Sequence, residues 1–325
     1  MPKNLTENRN LREKALNNVS KAFSPAGISS FFEICDKTEN GKSVTSLERI
    51  GARGGGFGIK KGVLTEVALT EAEENSVKVF INGKVAPEAE TTRTVVQTLL
   101  EKTSEKHAVI VKHKVDVPIG AGFGSSAAGA LTTALALSKA LGLSLTYNEL
   151  GRIAHAAEIQ CKTGLGTVGP LMIGGCILTL EPGAPGIAVI DRIPISEDYV
   201  IVAGTFGSIS TREILSSAEK RLAVNKWGRK TLEKILAEPS LENFLACCRE
   251  FAEKTGFITE NVRKLMLLAD EAGALGAAQN MVGEAVHALT TSENAENVVQ
   301  AFKKVLPQEK ILVAQVATQG ARLLG

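Results

Sequence analysis

Apolar positions along the chain follow two periods that alternate irregularly. Residues 63–68 and 76–81 are short β-branched runs expected of strands, and Asn82-Gly83 between apolar stretches signals a hairpin. Residues 108–115 alternate as a strand does, whereas 91–103 repeat with a helical period. Residues 125–141 (SSAAGALTTALALSKAL) are small and apolar on most faces, which predicts a centrally buried helix, with Gly142 placed to end it. Thr146 with Glu149 three positions on predicts a capping box opening a helix to Gln160.

Between these elements the punctuation is glycine and proline. Residues 21–34 are apolar around Ser24-Pro25-Ala26-Gly27, which reads as a sharp bend between extended pieces. Residues 51–58 (GARGGGFG) read as a flexible crossing. A glycine-rich stretch, 164–175, leads into a strand at 176–180, and Pro182 to Gly186 form a turn. A strand is expected at 199–205. A helix should follow residues 207–211, with further helices to about residue 270 and short elements at 273–289 and 311–324. Strands and helices mixed without regular βαβ alternation predict the α+β class.

Composition narrows the partners. The 325 residues suit two domains: we expect a polar N-terminal extension at 1–20, a first domain at 21–190 and a second at 191–325. Hydrophobic residues at 44% and charged residues at 22% describe a soluble globular chain. A net charge of +2 gives no field for nucleic acid or an anionic membrane. Lys60-Lys61 and Lys303-Lys304 read as solvated charge. The five cysteines, an odd number without metal-ligand spacing, argue for buried thiols in a reducing compartment rather than disulfides or zinc. The first twenty residues lack an apolar core, and no run reaches the roughly 18 apolar residues of a membrane span, so the expected location is the cytoplasm.

The strongest chemistry lies at Pro118-Ile119-Gly120-Ala121-Gly122-Phe123-Gly124-Ser125-Ser126-Ala127. Glycine lacks a Cβ and accepts positive φ, so alternating glycines let backbone N–H groups curl around an anion. The helix that begins at once adds unpaired amides and a favourable dipole. Ser125 and Ser126 add hydroxyls, one of which can face magnesium. This is the cradle expected for the phosphates of ATP. No G-x-x-x-x-G-K-[ST] loop is present. Residues 164–169 (GLGTVG) match G-x-G-x-x-G by letter but follow a predicted helix rather than a strand, and no helix is expected to start from them, which argues against a dinucleotide site.

The stretch PIGAGFGSSAAGAL resembles the second motif of the GHMP kinases. Lys21 to Gly27 looks like their N-terminal substrate motif, and Gly273 to Ala278 like a degraded form of their C-terminal glycine motif. Within the family, FSPAGISSFF, KTGLGTVGPLMIGG, GSISTREIL and QVATQGARLL are most similar to the archaeal pantoate kinases. The resemblance implies a two-domain GHMP kinase fold, an N-terminal ribosomal-protein-S5-domain-2-like β/α domain and a C-terminal ferredoxin-like α+β domain, with ATP and substrate between them and often a homodimer. It implies Mg2+ held by Ser126 and Glu158, and transfer of phosphate from ATP to pantoate for coenzyme A synthesis. The alternatives are another small alcohol (a mevalonate phosphate, homoserine or shikimate) or a nucleotide-binding regulatory protein. Many family members carry an aspartate base where this chain has Thr167. Threonine cannot be a base, so Thr167 is expected to orient the acceptor for direct attack. Ser24, His155 and Arg212 are the candidates for binding substrate, with Arg53 as a further candidate for phosphate or substrate beside its default reading as surface charge.

Overall fold

The computed structural model describes residues 19–38, 40–208 and 218–325. Two antiparallel strands form its spine: β1 (Val19–Cys35) and β2 (Gly51–Glu71), 17 and 21 residues long. The expected bend at Ser24 to Gly27 is a correction: the chain runs straight on, and the pairing shifts register between Pro25 and Ala26, where β2 carries Lys60 and Lys61 as extra residues. The expected flexible crossing at 51–58 is likewise strand. Its glycines serve close approach rather than mobility, because a Cβ on Gly56 would stand 1.8 Å from the Ile28 carbonyl oxygen.

β2 is long enough to serve two neighbours. Its first part pairs with β6 (Cys176–Glu181), and its second part pairs with β5 (His107–Val115). β3 (Ser76–Ile81) joins β5 in parallel and turns into β4 (Lys84–Val85) through Asn82 and Gly83. Both turn residues have positive φ (49° and 80°), as the hairpin signal requires. β7 (Val189–Ile193) extends the sheet from β6, so the expected domain joint at 190/191 falls inside a strand. The chain's last strand, β12 (Arg322–Leu324), returns to the outer edge of β1. Helices α1 (Glu90–Leu100), α2 (Ser125–Ala140) and α3 (Tyr147–Cys161) bury their apolar faces with this sheet in one core, which includes Val63, Val67, Leu99, Leu131 and Ala154. α2 is buried nearly throughout, as its composition predicts. A six-residue helix, α4 (Val168–Ile173), corrects the expectation that none would start in the second glycine stretch.

The second sheet has the order β11-β8-β10-β9, all antiparallel: β8 (Tyr199–Ser208), β9 (Gly276–Gln279), β10 (Gly283–Thr291) and β11 (Ile311–Gln315). α7 (Glu260–Glu271) and α8 (Ala295–Lys303) pack on it through Leu265, Met266, Val298 and Phe302. α5 (Ala218–Ala237) and α6 (Leu241–Lys254) share a third core with both sheets. There Phe31, Phe57, Phe244 and Phe251 meet edge to face, at centroid separations of 5.3 to 6.3 Å. The two sheets are also stitched by backbone: Ala317 donates to Gly58, Gly58 to Gly175, and Gly175 back to Ala317. The cysteines are all free thiols, three of them buried. Among the described residues no helix is long and apolar enough to cross a membrane.

Candidate active site

The glycine loop connects β5 to α2, and it has the backbone its sequence demands. Gly120, Gly122 and Gly124 hold φ of 77°, 80° and 61°, the left-handed region that favours glycine. Gly124 is the N-cap of α2 and no side chain caps it, so the first-turn amides at Ser125 to Ala127 have no side-chain acceptor. The buried rings and methyls of Phe123 and Ala121 pin the loop to the core, while Ile119 stands in solvent. Pro118 sets the loop's entry, half-buried.

Three parts of the chain, far apart in sequence, converge on this loop. Gly27, from the first motif, donates its N–H to the Phe123 carbonyl at 3.1 Å. Behind the loop lie Asn280 and Gly283: a Cβ on Gly122 would lie 3.1 Å from the Asn280 Cβ, and one on Gly283 would lie 2.8 Å from the Ala121 oxygen. Thr167 closes the third side. A Cβ on Gly124 would sit 2.9 Å from the Thr167 methyl, and one on Gly27 would sit 3.4 Å from it. Thr167 stands at the N-cap of α4, but its hydroxyl makes no capping bond and stays available to a ligand.

The serine and the glutamate are brought together. The Ser126 hydroxyl donates to Glu158 Oε1 at 2.5 Å, and Thr163 donates to the same oxygen at 2.6 Å. Thr91 on α1 is hydrogen-bonded to Thr163 at 3.1 Å and reached by Ser126 at 3.5 Å. Glu158 is 3% exposed. Burial pushes its carboxyl above the usual carboxylate range, and the two hydroxyls pull it part of the way back. α3 places it by the expected capping box, in which Thr146 and Glu149 bond reciprocally. A buried carboxylate with a hydroxyl is a hard oxygen pair that fits Mg2+. No group of three acidic, histidine or cysteine side chains gathers among the described residues, so the pair suits an ion that takes its remaining ligands from phosphate and water.

The other candidates are differently placed. His155 is buried, with Nε2 2.9 Å from the Ile50 carbonyl, and burial lowers its pKa, so the imidazole is neutral and tied to the backbone. The Ser24 hydroxyl is buried and donates to the Pro25 carbonyl at 2.9 Å. Arg53 is engaged elsewhere: its guanidinium reaches Glu181 at 3.1 Å and the buried Glu33 at 3.4 Å, and Arg229 meets Glu33 at 2.9 Å. Arg212 lies outside the described residues. Sequence reasoning missed Thr91, Thr163 and Asn280. A hydroxyl just past a helix end reads as ordinary turn chemistry, and nothing in its local pattern distinguishes it.

With this geometry in view, three comparisons are informative. Residues 90–175, which span the loop, Ser126, Glu158 and Thr167, match the GHMP kinases N terminal domain. The chain is 34% identical over 303 residues to the pantoate kinase of Thermococcus kodakarensis, covering 92% of this chain and 96% of that protein. It is 30% identical over 281 residues to the pantoate kinase of Methanocaldococcus jannaschii, covering 86% and 96%. Among solved structures, a phosphotransferase related to the CoA biosynthesis pathway superposes with a TM-score of 0.83 at 32% identity, over 94% of this chain and 98% of that one.

Proposed function

This chain belongs to the GHMP kinases, and we propose that it transfers the γ-phosphoryl group of ATP to the primary hydroxyl of pantoate, giving 4-phosphopantoate for coenzyme A synthesis. The observation that carries the reading is the 2.5 Å Ser126–Glu158 pair beside an uncapped helix start and three left-handed glycines, in a chain similar to pantoate kinases over most of its length.

The loop amides and the N-terminus of α2 bind the phosphate tail of ATP. Ser126 and Glu158 would hold a magnesium ion, whose charge would offset that on the outer phosphate oxygens. Thr167 does the remaining work at the acceptor. Its methyl lies against Gly124 and Gly27, and its hydroxyl, which makes no capping bond, orients the attacking alcohol and accepts no proton. Phosphoryl transfer passes through a loose transition state in which the nucleophile is little activated, so alignment and charge carry the rate. Ser24 and His155 are buried and held on the Pro25 and Ile50 carbonyls, and His155 is neutral, so neither serves as a charged clamp on the acceptor.

The test is ADP release from Mg-ATP across a panel of pantoate, mevalonate, mevalonate phosphates, homoserine and shikimate. Turnover confined to pantoate is the expected result. Turnover on a mevalonate compound instead would transfer the assignment to another acceptor. ATP binding without turnover on any alcohol would favour a regulatory protein, the reading that Thr167 invites.

A further inference from the structure

The turn that ends α3 does more than stop a helix. Lys162 takes a left-handed φ of 56°, a backbone that a lysine adopts only at a cost. The chain then folds back, and Thr163 N–H donates to the Glu158 carbonyl at 3.0 Å, closing the helix end in the manner usually given to glycine. That reversal brings the Thr163 hydroxyl over the last turn, where it meets Glu158 Oε1 at 2.6 Å. The next residue leaves room for the carboxylate: a Cβ on Gly164 would stand 2.2 Å from Glu158 Oε2 and would push that oxygen aside. From the far side, Thr91 on α1 bonds the Thr163 hydroxyl at 3.1 Å.

The hydrogen-bond count is informative. A carboxylate oxygen has two lone pairs, and on Oε1 both are filled, by Ser126 and Thr163. The Thr163 proton is spent on Glu158, so its oxygen accepts from Thr91. Oε2 has no hydrogen-bond partner among the described residues and remains as the oxygen a cation can take. The Ser126 proton points to the carboxylate, which leaves the serine lone pairs free as well.

We propose that Lys162-Thr163-Gly164, braced by Thr91, is a carboxylate clamp whose task is to fix Glu158 so that Oε2 and Ser126 present themselves together to the divalent cation of a metal–nucleotide complex. Thr163 and Thr91 are thus positioning residues, acting through Glu158. The proposal rests on the reading of Ser126 and Glu158 as the cation pair.

The test reads metal binding apart from turnover. Mn2+ affinity for the ATP-loaded protein is measured by water-proton relaxation, and metal-free ATP binding by calorimetry, for the wild type and four variants. Thr163→Val, which keeps shape and loses the hydroxyl, should weaken Mn2+ about tenfold, the usual scale for losing a group that orients a metal ligand. Thr163→Ser should recover most of that loss. Thr91→Val should shift affinity the same way by less, and Gly164→Ala should weaken it by displacing the carboxylate. Metal-free ATP should bind all of them equally, and kcat should fall with Mn2+ affinity while the pantoate KM holds. The clamp is overturned if Thr163→Val binds Mn2+ as the wild type does, if valine and serine lose equally, or if metal-free ATP weakens in parallel. A protein that binds Mn-ATP but ignores pantoate would remove the acceptor assignment and leave this test standing.

Discussion

Glu158 is a carboxylate taken almost wholly out of water and held by hydroxyls instead of by a cationic side chain. A charge held there without a cationic partner is costly. Glu158→Gln keeps the shape and removes the charge. It should cut kcat by about 100-fold or more with an unchanged circular dichroism spectrum, since removing one preorganised charge interaction costs on that scale. Ser126→Ala should do the same more mildly, by about tenfold. A rate unchanged by Glu158→Gln would remove it from the site. Two buried histidines control a different property. His287, between Ser30 and Asn280 at 2.9 Å each, is pushed down to about 3 by burial, and His113, between Thr65 and Thr92, to about 4. Both lie below the ordinary 6.5, so the unfolded chain takes protons that the folded one refuses. The stability this gives is complete above about pH 6.5 and lost as pH falls toward the folded values, with a slope of about 1.4 kcal/mol per pH unit for each histidine. Urea midpoints measured down to about pH 4.5 should fall accordingly. His113→Gln should flatten part of that fall.

At the scale of elements, the long strand pair depends on glycine where backbones touch. Gly56→Ala would place a methyl 1.8 Å from the Ile28 oxygen, and Gly62→Ala one 2.0 Å from the Ser24 oxygen. Each should destabilise the protein by about 3 kcal/mol or more, the range of overpacked and strained sites. Gly129→Ala within α2 is the contrast. The nearest atom beyond its helix is 3.6 Å away, in the His113 ring, and alanine favours helix by up to about 1 kcal/mol, so urea unfolding should find no loss. This is also where the sequence could and could not be read. The capping box at Thr146, the Asn82-Gly83 hairpin and the buried α2 carry local chemistry, and each stands where that chemistry puts it. GARGGGFG looked like a crossing because its glycines answer to distant atoms, Gly54 and Gly56 to Phe31 and Ile28 on β1 and Gly51 and Gly58 to Gly183 and Gly174, which no local window contains. Ser-Pro-Ala-Gly looked like a turn because a bulge and a turn use the same residues. In the site, the loop and its serines were legible, since the glycines and the helix start declare themselves, whereas Glu158, 32 residues on from Ser126, was reached only through the family resemblance. Thr163 was not, because its partner is reached only once the helix end has folded back.

The whole molecule is built so that one loop is walled by three segments. The first motif reaches it through Gly27, the second sheet through Asn280 and Gly283, and α4 through Thr167. Such a site exists only in the assembled fold, and the stitching of Gly58, Gly175 and Ala317 keeps the two sheets in register around it. At the other end of β1, the buried Glu33 binds Arg53 and Arg229, so α5 is fastened to the same strand that carries the first motif. The arginine that sequence offered to phosphate is in this way a structural tie. Arg53→Ala should lower the thermal midpoint, because it strips a partner from a buried carboxylate, while leaving the KM for ATP unchanged. A raised KM would restore it to the nucleotide site. The central claim is that this chain moves phosphate from ATP to an alcohol of pantoate. The measurement that reaches it most directly is 31P and 13C NMR of the product formed from Mg-ATP and pantoate. A phosphomonoester on the C4 oxygen, formed one for one with ADP, is the predicted result. An acyl phosphate, or pantoate left untouched while ATP binds, would contradict it.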